Sequence, residues 1–385
     1  MSRRNALRIA VSCVLFACFA LTGAAAPGEP IPWPTLRIPK IAAPPEIDGK
    51  IGEEEWAGAA VITGFHPVYL EETHSVWQVA YDDEWLYLAM HSPHYKGTWP
   101  AAKGKPNPAG DSRLGWDAHV EVLLSQHPRQ KAFQKGFYII HANPRDAMRD
   151  QHYNWMPGQA GLEWQCERRV KSTVSDDHWD LEMALRRASM TEKPFDGAEW
   201  ILHLVRADGF AGNHFFAWKY SWYLNCHEFP AVVFDPDAPS FRFLRLGEVR
   251  KGDLNAVIEL VGRGQKPREI DVTVRAVGRK DKKAVHEQTQ SATVGAGQRR
   301  RLTFQQRLQF PEGGLDIEVR AYMKSPDGPV VLYEQRIPDV RAWTDADEQA
   351  RREEIERRKN LVTTMNYNFA YYPSIGLGRA FVDND

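Results

Sequence analysis

The sequence predicts an all-β protein of two β-sandwich domains, followed by a short C-terminal helix and tail. Three observations lead there. Short apolar or alternating runs recur at sandwich spacing, mostly bounded by Gly, Pro, Asn or Asp. No helical pattern alternates with them, as a parallel sheet with crossover helices requires. Composition also shifts near Leu246: ten of the thirteen tryptophans lie between Trp77 and Trp222, and none lies between Arg245 and Pro338. With 385 residues, 43% of them hydrophobic, the chain has apolar material for more than one core.

Residues 1–26 are set apart from the fold. Arg3, Arg4 and Arg8 precede an apolar run from Ile9 to Leu21 that closes on Ala24-Ala25-Ala26, the pattern of a cleaved signal peptide. The run is shorter than the roughly 20 residues of a spanning helix, and no later stretch is long and apolar enough to span. Lipid attachment at Cys18 is the alternative. The protein is therefore expected to be secreted or periplasmic. Cys13 and Cys18 leave with this segment; Cys166 and Cys226 remain, and their spacing does not say whether they pair. A formal charge of −1, or −4 without the three arginines, gives no reason to expect nucleic acid as a partner.

Residues 27–43, rich in proline at their start, read as a lead-in linker. The first sandwich is expected over 44–246. It opens with the turn Ile47-Asp48-Gly49-Lys50 and with Trp56 to plug a core. Its register mark is Val76 to Met90, two apolar runs around Asp82-Asp83-Glu84, which reads as an antiparallel hairpin. Further strands are expected at 118–124, 136–141, 163–172, 178–185, 200–206 and 215–220. The stretches 92–113 and 143–161 read as long loops of the kind that carry function. An immunoglobulin-like sandwich is expected over 247–338, with strands at 254–261, 270–277, 284–290, 301–308, 315–323 and 330–337. Arg299-Arg300-Arg301 reads as a solvated strand start rather than an anion patch. In 339–385, residues 345–359 favour a helix with Glu354 and Arg358 paired at i,i+4. The tail carries Tyr367, Phe369, Tyr371, Tyr372 and Phe381 and is expected to dock, either on this chain or on a protein partner.

Several motifs stand in a fixed order: Ile47-Asp48-Gly49 with Trp56; Val79 to Tyr87 through the acidic turn; Trp116-Asp117 before His119-Val120-Glu121-Val122; Trp179-Asp180-Leu181-Glu182; and Trp218 with Phe229 and Phe241 to Leu246. Over residues 44–246 this order resembles family 9 carbohydrate-binding modules. The resemblance implies a β-sandwich that holds a sugar chain end between two tryptophans, assisted by a glutamate, an arginine and amides. Glu121 matches the glutamate, Trp116 resembles the first tryptophan and Trp222 the second. The strand near Tyr138 has no arginine at the matching place, so Arg206 and Asn225 stand as replacements. The resemblance also admits a structural calcium ion, with Asp82, Asp83 and Asp111 as candidate ligands.

Each of these residues has a structural reading as well. Glu121 could bridge an arginine across the sheet, and Asp117 could cap a loop. Trp56, Trp77, Trp179 and Trp200 read as core, whereas Trp99, Trp116, Trp155 and Trp222 lie in or beside loops and read as exposed platforms for sugar rings. No catalytic residues and no cofactor are expected: no G-x-S-x-G, H-E-x-x-H or Cys-His zinc spacing occurs, and no carboxylate pair stands out for glycoside hydrolysis. His141, His152 and His203 read as ordinary polar or core residues rather than a metal set. The leading expectation is thus a non-catalytic, secreted carbohydrate-binding protein. Two alternatives are a haem-binding electron-transfer sandwich drawing on Met90, Met148, Met156 and His141, and an accessory subunit of a glycan-processing enzyme.

Overall fold

The computed structural model describes residues 31, 33–68, 70–96, 98, 100, 102, 114, 117–126, 136–153, 160–161, 164–208, 215–219, 228–264, 266–365, 369–371 and 380–382. The chain divides into two compact units, Met1–Pro32 and Trp33–Asp385, and every element below belongs to the second.

The first half contains β1 (Thr35–Pro39), β2 (Ala60–Ile62), β3 (Val76–Tyr81), β4 (Trp85–Pro93), β5 (Ala118–Ser125), β6 (Phe137–Ala142) and β7 (Met148–Tyr153). It continues through β8 (Ala160–Gly161), β9 (Arg168–Val174), β10 (His178–Arg186), β11 (Glu199–Asp208), β12 (Phe215–Ala217), β13 (Ala231–Asp235) and β14 (Ser240–Arg245). The second half contains β15 (Asp253–Val261), β16 (Arg268–Gly278), β17 (Ala284–Val294), β18 (Arg299–Arg307), β19 (Leu315–Met323) and β20 (Val330–Val340). Helix α1 (Asp345–Met365) and the short pair β21 (Phe369–Tyr371) and β22 (Ala380–Val382) follow.

Two large sheets face each other. The larger runs β17-β16-β19-β20-β1-β13-β11-β5-β6-β7-β8, with β12 beside β11; the smaller runs β18-β15-β14-β2-β3-β4-β10-β9. The strands expected of two separate sandwiches therefore join edge to edge, each sheet of one continuous with a sheet of the other. In the smaller sheet the joint is β14 with β15, antiparallel from Ser240↔Val261. In the larger it is β1, which reads in sequence as lead-in. β1 lies parallel to β13 from Thr35↔Ala231 to Pro39↔Asp235, and antiparallel to β20 through Thr35↔Glu334 and Leu36↔Tyr333.

One apolar core fills the space between the sheets. It takes Trp77, Val79, Leu88, Trp179 and Leu181 from the smaller sheet and Val120, Val122, Leu202 and Leu204 from the larger, and it runs on through Phe243, Ile258, Ile317 and Val319. Phe241 stacks on Tyr333 with ring centroids 4.3 Å apart, so the two halves share aromatic packing as well as strands. Trp56, Trp77, Trp179 and Trp200 are all buried.

The motif residues do structural work. Asp82 closes the β3–β4 turn: its carboxylate accepts from the backbone N–H of Glu84 and Trp85 and from the Tyr87 hydroxyl. Asp83 pairs with Lys40 at 2.7 Å, so both acidic residues are engaged by the protein itself. Glu182 is fully buried and gathers the other end of the motif set. It accepts from the N–H of Asp48 and Gly49 and from the Trp56 indole at 2.8 Å. Gly49 needs its φ of +85°, and a Cβ there would press on Thr173 and Ser172. Burial raises the Glu182 carboxyl above its usual range even though three donors favour the charged form.

The arginine run at the start of β18 lies beside Glu259, with Arg299 at 3.7 Å and Arg301 at 3.4 Å, which matches a solvated strand start with a local partner. Thr344 caps α1 through reciprocal bonds with Asp347. The expected Glu354–Arg358 pair forms at 2.7 Å. Side chains beyond residue 359, including the aromatic tail, lie outside the described residues.

Candidate functional site

β5 alternates strictly. Val120, Val122 and Leu124 enter the core between the sheets, so His119, Glu121 and Leu123 leave on the opposite, outer face. That face has its own apolar patch, made by Leu123, Phe137, Ile139, Ile201, Val205, Ala217 and Phe229. Beside the patch, register brings three polar side chains together. Glu121 pairs directly with His141 of β6, and His119 lies two residues back on β5.

The cluster is tight and buried. His119 and Glu121 are 2% and 3% exposed, and the His141 side chain is 12% exposed. His119 Nδ1 lies 2.6 Å from the Asp117 carbonyl, and its Nε2 lies 3.0 Å from Glu121 Oε1. His141 Nε2 is 3.5 Å from the same oxygen. Glu121 Oε2 and His141 Nδ1 have no partner among the described residues. Asp117 is fixed in turn by Asn143, whose amide donates to its carboxylate at 2.8 Å. Asn143 also accepts from the N–H of Arg145 and Ala147, which pins the β6–β7 turn under the site.

Burial pulls the Glu121 carboxyl upward, but His119 and His141 outweigh it and hold the group well below the usual carboxylate range. Burial likewise opposes charge on His119, yet its bond to Glu121 leaves the imidazole raised. His141 is lowered, because burial exceeds the attraction of Glu121. His203 of β11 completes the surroundings: it pairs with Leu123, stacks on Phe229 at 4.7 Å, and burial pushes it down to about 3. The arrangement can present a carboxylate with one buried oxygen unpartnered among the described residues, or imidazole and carboxylate donors converging on a cation.

Of the residues expected to bind ligand, Glu121 is at the centre of this cluster. Arg206 is not brought to it. Arg206 pairs with Val120 while Val205 pairs with Glu121, so the Arg206 side chain leaves on the core side of the sheet, where it is 4% exposed. Trp116, Trp222 and Asn225 lie outside the described residues, as do Trp99, Trp155, Cys226 and Asp111. The stretches that carry Trp116 and Trp222 adjoin β5 and β12, and β11 pairs with both of those strands. Cys166 is a buried thiol. The haem candidates separate as well: Met90 and Met148 belong to the inter-sheet core, His141 faces outward, and Met156 is outside the described residues.

Sequence reading missed His119 and His141 as partners of Glu121. The His119-x-Glu121 spacing was visible and places both on one face of a strand. The third member depends on the β5–β6 register, which no local pattern encodes. A second, more exposed grouping, His91, His178 and Asp180, lies on the smaller sheet, where Asp180 pairs with His91 across β4 and β10.

The fold and site together describe a β-sandwich protein with a buried polar cluster on an outer sheet face. Solved structures similar to this chain include carbohydrate-binding modules. A protein from Bacteroides uniformis, provisionally assigned as carbohydrate-binding, aligns at TM-score 0.40 and 14% identity over 52% of this chain and 99% of its own. A family 9 carbohydrate-binding module from Caldicellulosiruptor kristjanssonii in complex with glucose aligns at 0.37 and 12%, over 52% of this chain and 95% of its own. The same organism's module with cellotriose aligns at 0.37 and 13%, over 52% and 93%. No protein-family profile matches the sequence, and no curated protein does. Among the described residues no helix is long and apolar enough to cross a membrane.

Proposed function

We propose that the protein binds carbohydrate on the outer face of the larger sheet, without catalysing its cleavage, and works outside the cytoplasm. The observation that carries this reading is Glu121. It is a carboxylate that His119 and His141 hold below the usual carboxylate range, on a strand of the larger sheet, with Oε2 unsatisfied among the described residues, at the strand position where the sequence resemblance implies a sugar-binding glutamate. A buried acceptor of this kind suits a sugar hydroxyl, which donates in a fixed direction. The adjoining tryptophans, Trp116 and Trp222, are proposed as the platforms that sandwich the ring. Arg206, on the core side of the sheet, is not included.

Affinity electrophoresis and calorimetry against soluble glucans, xylans, mannans and their oligosaccharides test the proposal. Wild-type protein should bind at least one of them. Trp116→Ala, Trp222→Ala and Glu121→Gln should each weaken that affinity at least tenfold, about 1.4 kcal/mol. Absence of binding across the panel, or binding that survives both tryptophan substitutions, would sink it.

A further inference from the structure

We infer that His119, Glu121 and His141 form a binding site for one divalent transition-metal ion of the zinc class. Their donor atoms, His119 Nε2, a Glu121 carboxylate oxygen and His141 Nε2, all lie within 4.8 Å of one another. Donors about 2.1 Å from a tetrahedral metal stand roughly 3.4 Å apart, and here the two separations from Glu121 Oε1 are 3.0 and 3.5 Å. Two of the three donor separations thus stand close to those of a loaded site, and the third is within 4.8 Å.

The hydrogen-bond arithmetic points the same way. The Asp117 carbonyl can only accept, so His119 Nδ1 carries a proton. In the neutral tautomer the Nε2 lone pair then faces Glu121 Oε1, and two acceptors oppose each other at 3.0 Å. Either a proton between the two, on His119 or on the carboxyl, or a cation resolves this. A proton satisfies one contact only and leaves His141, at 3.5 Å, beyond a normal hydrogen bond. A metal ion engages all three. Orientation of the first imidazole by a backbone carbonyl is also the arrangement that fixes metal-binding histidines. Two imidazole nitrogens with one carboxylate select zinc, cobalt, nickel or copper over calcium or magnesium. Glu121 is 3% exposed, and its second oxygen, Oε2, is buried without a partner among the described residues.

The assignment goes beyond carbohydrate binding and does not depend on it. The full-length, untagged chain, cleared of metal by chelator, is titrated with Zn2+ alone by calorimetry and loaded with Co2+ alone for visible spectroscopy. One ion per chain should bind at this cluster, with Co2+ giving ligand-field bands of low coordination number. His119→Gln and His141→Gln should each weaken Zn2+ binding at least tenfold and remove those bands. His91→Gln, in the other grouping, should leave the tight site unchanged. If His119→Gln fails to fold, as judged by circular dichroism, the less buried His141→Gln decides. No Zn2+ uptake, or uptake that survives His141→Gln and is lost in His91→Gln, overturns the assignment. Zn2+ uptake without glycan binding supports it while removing the carbohydrate reading; glycan binding without Zn2+ uptake does the reverse.

Discussion

At the scale of single residues, the outer face of the larger sheet concentrates polar groups that burial has moved away from their ordinary titration. His203 is the clearest, pushed down to about 3 and held neutral against Phe229. As pH falls below about 6.5, the unfolded chain takes up a proton that folded His203 refuses, so stability declines with falling pH at up to roughly 1.4 kcal/mol per unit. His203→Gln should flatten that slope in urea denaturation between about pH 6.5 and pH 4 relative to wild type. An unchanged slope would remove His203 as its source. Glu121 was singled out through the resemblance, and its place on the outer face follows from the local V-E-V alternation of β5. The His119-x-Glu121 spacing is local too, but His141 was not legible, since Glu121 meets it only through cross-strand register. Arg206, offered as a replacement for the family's arginine, lies on the opposite face of the sheet from Glu121, because one step along a strand reverses the face.

At the scale of elements, the acidic hairpin and the Asp48-Gly49 turn were readable because turn chemistry is written in adjacent residues. Both proved to be supports, one closed by Asp82 and the other clamped by Glu182. β1 was not readable. It has five residues, with Pro34 before it and Pro39 at its end, and such a stretch resembles an extended linker. Proline is tolerated at strand ends because it withholds only a donor that the ladder does not need there. Yet Leu36 and Ile38 are fully buried, and β1 is the only strand that links β20 to β13 in the order of the larger sheet. Ile38→Ala should therefore lower stability by about 2–5 kcal/mol in chemical denaturation. A loss under roughly 1 kcal/mol would show β1 to be peripheral.

At the scale of the whole molecule, continuous sheets and a shared core predict one cooperative unit where composition alone suggested two. No tryptophan lies between Arg245 and Pro338, so tryptophan fluorescence reports chiefly on the first half, while amide exchange in β16 and β19 reports on the second. The two should lose structure at the same denaturant concentration; separate midpoints would mean that the halves are independent. The composition shift near Leu246 was a correct reading of side-chain content, but tryptophan usage does not encode which strand edges are paired. The place of β1 has a further consequence, in time rather than space. Its antiparallel neighbour contributes Glu334 opposite Thr35, so the joint between the two halves of the larger sheet must wait for a partner about 300 residues further along the chain. Pairing across so long a loop is slow to find, so the β1–β20 seam should form after the pairings within residues 35–245.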